Sequence, residues 1–231
     1  MKERYTRTAM LLGTDAIEKL QNKHVAVFGI GGVGSFCAEA LARAGVGALT
    51  LVDDDTVSVS NLNRQLVALH STVGMPKTEV MAQRIRDIAP DCKVTVKTCR
   101  YEPQNRDMFF EDSYDFISDA IDSVACKTDL IATAIEKNIP IISAMGTGNK
   151  LDPTKFVITD LSKTSGCPLA RVMRRELKQR GILHHTVLYS TEPAIKPLFQ
   201  PEDGKAVPGS VSWVPSCAGL MMAGHIIQQL I

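Results

Sequence analysis

The chain lacks the cysteine spacing of a zinc or redox site. It has six cysteines in 231 residues, and no two of them form a Cys-x-x-Cys pair, which argues against a zinc ribbon or a thioredoxin-like motif. The first ten residues, MKERYTRTAM, also lack the apolar core of a signal peptide. We therefore expect a cytoplasmic protein whose thiols are reduced.

The chain also has neither a large excess of one charge nor a long uninterrupted apolar run. The formal net charge is +1, so contact with nucleic acid would need a local basic patch. The apolar C-terminal segment is interrupted by Pro215, His225 and two glutamines, which favours a buried helix over a membrane span of about 18 or more apolar residues. We expect no membrane partner. With 45% hydrophobic and 22% charged residues, the composition is that of a globular chain with a sizeable core.

What the sequence does contain is a glycine-rich turn between a strand and a helix. An apolar strand is predicted at His24–Phe28, and apolar residues at helical spacing follow over 35–44. Glycine lets the turn approach a phosphate, which the N-terminus of the following helix attracts. Asp53 lies about 20 residues on, at the end of the next strand, where an acceptor for a ribose hydroxyl is expected. The turn residues predicted to bind the nucleotide are Gly29, Gly31, Gly32 and Gly34.

Strands and helices alternate along the rest of the chain, which indicates one α/β domain over 1–231. We predict a Rossmann-like, doubly wound, mostly parallel sheet, with N-terminal helices in 1–22, a nucleotide-binding core in 23–150 and a mixed substrate-side extension in 151–231. The extension includes a proline-rich segment, 191–209, predicted to be a mobile loop. Further strands are predicted at 93–98, 114–118, 139–143, 155–160, 186–190 and 210–214, and further helices at 77–88, 123–137, 168–180 and the C-terminus.

Polar and cationic residues follow Asp53 closely. Asn61, Arg64 and Lys77 suit a triphosphate, whose developing negative charge the cations would stabilise during phosphoryl or nucleotidyl transfer. Taken singly, each is more often an ordinary surface residue, but the ordered set favours this chemistry. A nicotinamide-dependent reductase, which the glycine turn alone would also fit, has no need of such a cluster.

Two aspartates, Asp119 and Asp122, follow a predicted strand at the edge where open α/β sheets bind ligands. A carboxylate beside a triphosphate is a natural ligand for Mg²⁺. The alternative is that such an aspartate only caps the next helix.

Four ordered segments, GIGGVG, LVDDDTVSVSNLNRQ, VGMPKTEVM and DAIDS, resemble the ThiF/MoeB superfamily of adenylating enzymes, which includes ubiquitin-activating enzymes. Members of that superfamily use ATP to adenylate a carboxylate and release pyrophosphate. The resemblance implies that Gly32 lies against the nucleotide and that Asp53 binds the ribose. It further implies phosphate binding by Asn61, Arg64 and Lys77, and Mg²⁺ coordination by Asp122.

The N-terminal segment RYTRT resembles the RYxRQ of the same superfamily. By that resemblance Arg7 would reach the triphosphate of the neighbouring protomer, which implies a homodimer with shared sites. The alternative for Arg7 is a solvated charge on a helix. The implied catalytic residues are Arg64, Lys77, Asp122 and Arg7.

Within the superfamily, the chain most resembles the tRNA threonylcarbamoyladenosine dehydratases. DAIDS with its downstream Lys127, DLSKTSGCPLARVMRRELKQRGI and GSVSWVPS carry this resemblance, which extends over nearly the whole chain. It implies ATP-dependent cyclisation of the threonylcarbamoyl group on the tRNA adenosine 3′ of the anticodon. The alternative is activation of a ubiquitin-like sulfur-carrier protein, although many such activators carry two Cys-x-x-Cys pairs that are absent here. Association with sulfur-transfer proteins and binding of a monovalent cation stay open.

A basic segment in the predicted helix 168–180 agrees with an RNA partner, since clustered cations contact phosphates. His184 and His185 follow it, and the alternative is a solvated helix face interrupted by Glu176. Cys167, just before this helix, could act as a thiolate, but a structural role is favoured. The candidate RNA-binding residues are Arg171, Arg174, Arg175, Lys178 and Arg180.

Overall fold

Short apolar segments form the sheet at the centre of the molecule. The computed structural model describes residues 2–199 and 207–231. Its strands are β1 (His24–Phe28), β2 (Ala48–Val52), β3 (Lys93–Lys97), β4 (Phe116–Asp119), β5 (Ile141–Ala144), β6 (Phe156–Asp160) and β7 (Thr186–Ser190). They form one sheet in the order β3-β2-β1-β4-β5-β7-β6, and every neighbouring pair is parallel except β6 with β7. The predicted mostly parallel, doubly wound sheet is confirmed.

Helices cover both faces of this sheet. They are α1 (Thr6–Leu12), α2 (Thr14–Gln21), α3 (Gly34–Ala44), α4 (Lys77–Ile88), α5 (Val124–Glu136), α6 (Pro168–Gln179) and α7 (Trp213–Leu230). Helices α3, α4 and α7 contribute to one apolar cluster, and α5 and α6 to a second. Strand β1 separates the two clusters, because Val25 and Val27 belong to the first whereas Ala26 and Phe28 belong to the second. Among the described residues, no helix combines the length and apolar character that a membrane span requires.

The order of the strands creates the crevice in which a ligand can bind. Strand β1 pairs with β2 on one side and with β4 on the other. The chain therefore runs outward from β1 to β3 and then returns to continue in the opposite direction through β4 and β5. In doubly wound sheets, ligands bind at the carboxyl ends of the strands where the direction reverses.

The predicted strand at 210–214 is wrong. Helix α7 begins at Trp213, and Ser212 already has helical backbone angles (φ −64°, ψ −38°). The alternating sequence suggested a strand, but Pro215 fits the first turn of a helix, where its missing N–H is not needed. Val214, which alternation would have placed in a strand, is buried as part of the first apolar cluster.

Two other predicted segments need comment. Strand β4 begins at Phe116, two residues after the predicted start. Tyr114 is buried outside the strand, and its hydroxyl donates a hydrogen bond to the carbonyl oxygen of Phe109 at 2.6 Å. The predicted loop 191–209 falls partly on residues 200–206, which lie outside the described residues; its described parts contain no helix or strand.

Candidate nucleotide-binding site

The turn after β1 has backbone geometry that favours glycine. Gly29 has a φ of +88°, and a side-chain carbon there would lie 2.7 Å from the carbonyl oxygen of Ala120. A side-chain carbon at Gly34 would lie 1.7 Å from the carbonyl oxygen of Gly29. These two glycines therefore let α3 begin directly against the turn and let the turn pack on the end of β4.

A cavity of about 490 Å³ occupies the crevice beside this turn, a size within the range of small-molecule sites. Gly34, which was predicted to bind the nucleotide, does not line the cavity. It instead lets α3 pack against the glycine turn. Most of the other predicted nucleotide-binding residues do converge on the cavity. These are Gly29, Gly31, Gly32, Asp53, Asn61, Arg64, Lys77 and Asp122.

Asp53, which follows β2, is fixed by the backbone on both of its carboxylate oxygens. Its Oδ2 accepts a hydrogen bond from the backbone N–H of Ile30 at 2.5 Å, and its Oδ1 accepts one from Asp55 at 2.8 Å. Burial raises the pKa of the Asp53 carboxyl, and the two backbone N–H groups oppose that shift. The carboxylate is thus oriented beside the glycine turn before any ligand is present.

Lys77 is the most enclosed cation of the cavity. It is the first residue of α4, only 4% of it is exposed, and its Nζ lies 2.6 Å from Oδ2 of Asp55. The Asp55 side chain itself is 65% exposed. Because the carboxylate is solvated and the ammonium is not, a second anion in the cavity could share the ammonium at little cost to Asp55.

Arg64 and Asn61 come from the loop between β2 and α4. One nitrogen of Arg64 donates to the carbonyl oxygen of Ser60 at 2.9 Å and to Oδ1 of Asn63 at 2.8 Å. The side-chain oxygen of buried Asn61 accepts the backbone N–H of Ser58 at 3.1 Å. The Nδ2 of Asn61 and the other guanidinium nitrogens of Arg64 donate to no protein acceptor in the described part of the chain. Both residues therefore keep donors for an anionic ligand.

The two aspartates after β4 have different environments. Asp119 is fully buried, and its Oδ2 accepts a hydrogen bond from the fully buried Nζ of Lys127 at 2.7 Å. Its Oδ1 accepts the backbone N–H of Ile121 at 3.0 Å. Asp119 is therefore occupied in holding the turn at 120–122, whereas Asp122 is exposed and lines the cavity.

Other parts of the chain also reach the cavity. The segment after β3 supplies three residues, and the loop after β5 and the start of α7 supply others. The residues after β3 and β5 follow a general rule, because the carboxyl ends of parallel strands meet at one edge of a sheet, but Ser210 and Pro215 follow no strand directly. Gln65 lines the cavity too, and its buried Oε1 has no hydrogen-bond donor within the described residues. The lining residues not predicted from the sequence include Cys99, Arg100, Tyr101, Thr147, Ser210 and Pro215.

Comparison with known proteins shows the family to which this fold and site belong. The sequence pattern of the ThiF family matches residues 5–231. The chain belongs to the ThiF family. Among its curated relatives is a tRNA threonylcarbamoyladenosine dehydratase of Bacillus subtilis (strain 168), which is 42% identical over 246 residues that cover 100% of this chain and 96% of the relative.

A solved structure and a second curated relative show how far the similarity extends along the chain. The crystal structure of the Escherichia coli tRNA N6-threonylcarbamoyladenosine dehydratase TcdA in complex with ATP has a TM-score of 0.91 and 39% identity, covering 99% of this chain and 93% of that one. A sulfur carrier protein ThiS adenylyltransferase of E. coli (strain K12) is 34% identical over 155 residues, covering 64% of this chain and 60% of the relative. This member of the ThiF family is thus similar to the dehydratases over its whole length, and to the sulfur-carrier activator over a shorter part.

Arg7 does not join the cavity of its own ThiF-family chain. It is an exposed residue of α1 and is not among the lining residues. Helix α1 has no buried residue at all, and Met10 and Leu11 are 79% and 88% exposed. Helix α1 therefore exposes the cation Arg7 and the apolar side chains of Met10 and Leu11 together.

The basic residues of α6 have three different environments. Arg171, Arg175 and Lys178 are exposed at i, i+4 and i+7, which places them on one side of the helix. Arg174 instead points inward, where its guanidinium donates to the carbonyl and hydroxyl oxygens of Thr164. Arg180, which follows α6, lies beside a buried carboxylate.

The two histidines and Cys167 next to α6 lie in separate environments. His185 is buried, its Nε2 lies 2.8 Å from the hydroxyl of Ser143, and burial lowers its pKa to about 4. Of the two histidines predicted to extend the basic patch, only His184 is exposed, and it lies 3.2 Å from Asp160. Cys167 is 5% exposed and packs in the second apolar cluster, which agrees with the favoured structural role.

Proposed function

We propose that the chain is an ATP-dependent tRNA threonylcarbamoyladenosine dehydratase. The observation that carries this proposal is the convergence of Asp53, Asn61, Arg64, Lys77 and Asp122 on one cavity in a chain that is similar to such dehydratases from end to end. A ribose acceptor, several N–H donors that can bind phosphates, and accessible carboxylates suit ATP better than a nicotinamide cofactor.

The reaction has two steps. First, an oxygen of the threonine carboxylate attacks the α-phosphorus of ATP, and pyrophosphate leaves. Second, a ureido nitrogen of the same substrate attacks the activated acyl carbon, loses its proton, and displaces AMP as the hydantoin ring closes. The oxygen lost from the carboxylate leaves on AMP, so the nucleoside loses one water overall. Because the nucleophile belongs to the substrate, the enzyme needs to hold the two groups together rather than supply a catalytic cysteine.

The cavity residues have defined tasks in this proposal. Asp53 accepts a ribose hydroxyl, and Asn61, Arg64 and Lys77 hold the phosphates. Lys77 and Arg64 are cations in a partly enclosed site, where they stabilise the charge that develops on the phosphates as pyrophosphate departs. Gln65 offers a buried acceptor whose missing donor a hydroxyl or amino group of the nucleotide would supply.

The acidic side chains also fit Mg²⁺. Asp119 is occupied by Lys127, so we propose the exposed Asp122, which lines the cavity, as a ligand of the ion. The carboxylates of Asp53, Asp54 and Asp55 line the same cavity and lie close enough together to share a metal ion. Mg²⁺ commonly combines one or two carboxylates with phosphate oxygens and water. Bound there, it would neutralise part of the triphosphate charge.

We further propose a homodimer in which each Arg7 completes the partner's cavity. The support is the exposed apolar surface of α1 beside an arginine that does not reach its own cavity. A symmetric pair of such contacts would bury Met10 and Leu11 and would place two equivalent arginines at two equivalent sites. We place the enzyme in the cytoplasm with its tRNA substrate.

The decisive experiment uses tRNA that carries the threonylcarbamoyl group. With ATP and Mg²⁺, we expect the modified nucleoside to lose the mass of one water, and AMP and pyrophosphate to form. If the threonine carboxylate is labelled with ¹⁸O, we expect the label in AMP. Lys77→Ala serves as the matched control and should leave the nucleoside unchanged. An unchanged nucleoside with wild-type protein, together with pyrophosphate exchange that depends on a small carrier protein, would instead establish the sulfur-carrier activator.

A further inference from the structure

Two arginines share one buried carboxylate outside the cavity. Asp129, in α5, is only 3% exposed. Its Oδ1 lies 3.4 Å from a guanidinium nitrogen of Arg106 and 3.4 Å from one of Arg180. Arg106 belongs to a short 3-10 helix (Pro103–Phe109) and Arg180 follows α6. Separate elements therefore bring the two cations to the same point.

This arrangement holds more positive charge than Asp129 requires. The Oδ2 of Asp129 accepts a hydrogen bond from the Tyr101 hydroxyl at 2.8 Å, so one arginine would complete the pairing of the buried carboxylate. With two guanidinium groups and one carboxylate, the cluster has a net charge of +1. The second arginine adds repulsion between like charges, which a purely structural ion pair would not include.

Both arginines are partly exposed to solvent and contact Asp129 through one nitrogen each. The side chains of Arg106 and Arg180 are 44% and 43% exposed. Within the described residues, neither guanidinium donates to any other protein acceptor. Each arginine has five N–H donors in a planar fork that matches a phosphate. The cluster therefore holds two guanidinium forks at one carboxylate and leaves most of their donors for a ligand.

The cluster is also connected to the cavity. Tyr101 lines the cavity, and its hydroxyl contacts the same Asp129 that holds the arginines. Burial and the neighbouring Asp129 carboxylate raise the pKa of Tyr101, so the hydroxyl stays protonated and continues to donate. One aromatic side chain thus separates the nucleotide cavity from the two forks.

We propose that Arg106 and Arg180 form a phosphate clamp for the RNA backbone, with Asp129 as its positioning residue. The inference rests on the proposed function, because a modified base that enters the cavity brings the phosphates of its own strand to the adjacent surface. A clamp of this kind reads no base sequence. It holds tRNA in register while the exposed Arg171, Arg175 and Lys178 of α6 add diffuse attraction.

The test is the affinity for tRNA as a function of salt. For the double variant Arg106→Gln/Arg180→Gln, we expect affinity for modified and unmodified tRNA to fall by about tenfold or more, and the slope of log K against log salt to decrease by about 1 to 2. ATP affinity should not change. Arg43→Gln is the matched control, because Arg43 lies on α3, on the opposite face of the sheet, and is 56% exposed.

Two further sets of variants keep the test decisive. If the double variant fails to fold because Asp129 loses both cations, each single Gln variant leaves one arginine on Asp129 and should still weaken tRNA binding severalfold. Arg106→Lys and Arg180→Lys keep the charge but not the planar fork, so they should keep the wild-type salt slope and lose only part of the affinity. Wild-type affinity and salt slope in the Gln variants would overturn the clamp. A salt slope that decreases equally in the Lys and Gln variants would also overturn it, because the Lys variants keep the charge that the slope reports.

The clamp and the proposed function fail in different ways. If the wild-type protein dehydrates modified tRNA but the Gln variants bind tRNA as tightly as wild type, only the clamp is wrong. If the wild-type protein leaves modified tRNA unchanged, the proposed function is wrong whatever the affinities are.

Discussion

Mixing two inactive variants tests whether the active sites are shared between protomers. In one variant Arg7→Ala removes the cation of α1, and in the other Arg64→Ala removes a cation that lines the cavity. Loss of one cation that stabilises the departing pyrophosphate should lower kcat/KM about a hundredfold in each variant alone. Neither side chain is buried, so both variants should fold.

The expected recovery follows from symmetry. An equal mixture with free exchange of subunits contains about one half hybrid dimers. In each hybrid, the cavity of the Arg7→Ala protomer keeps its own Arg64 and receives the partner's intact Arg7, whereas the other cavity lacks both cations. About one quarter of all sites are then complete, so the mixture should recover about a quarter of the wild-type rate.

The assay measures AMP release from ATP with modified tRNA, before and after the subunits exchange. Native mass spectrometry of differently tagged protomers verifies that hybrids form. A mixture of Arg64→Ala with Lys77→Ala is the control, because both losses fall in the protomer's own cavity and no complete site can form. If hybrids form but the rate stays at the level of the separate variants, Arg7 does not act across the dimer.

Three further outcomes follow from the site and its surroundings. Lys77→Ala should lower kcat/KM by about 10²- to 10³-fold. The melting temperature of this variant should stay close to that of wild type, because the remaining Asp55 is largely exposed. A large loss of stability in thermal unfolding would contradict the assignment of Lys77 to phosphate binding. His185 has a pKa of about 4 in the folded protein, below its unfolded value of about 6.5, so protonation favours unfolding. Between pH 6.5 and 4, the free energy of unfolding of the wild type should therefore fall by up to about 3 kcal/mol more than that of a His185→Gln variant. Urea titrations of both proteins measure this difference, and the same pH dependence in both would refute the prediction. Cys167→Ala should keep most of the activity in the tRNA assay, and a complete loss in a folded variant would point to a covalent acyl intermediate instead.

The fold was predictable where a periodic pattern and a terminating residue coincide. Helix α4 begins and ends as predicted, at Lys77 and Ile88, because its apolar spacing ends just before Pro90. The segment at 210–214 was mispredicted because alternation over five residues does not distinguish a strand from the first turn of a helix, which tolerates proline.

The site was predictable where its residues lie close together in the chain. Asp53, Asn61 and Arg64 follow one strand, so their convergence needed only the position of that strand. Tyr101 and Ser210 reach the same cavity from distant segments, and only the assembled sheet brings them there. Arg180 was predicted to bind RNA, but its pairing with Arg106 on Asp129 was not predicted, because the three residues lie in different elements of the chain.

The fixed carboxylate of Asp53 bears on how the site would tell ATP from dATP. Its two backbone hydrogen bonds set its orientation in advance, so it cannot turn toward solvent when a ribose hydroxyl is missing. A 2′-deoxynucleotide would then cover a partly buried carboxylate that has lost one donor, which costs on the order of 1–3 kcal/mol. The same rigidity that orders the site would thereby make it selective for ribonucleotides, in a cell that contains both kinds.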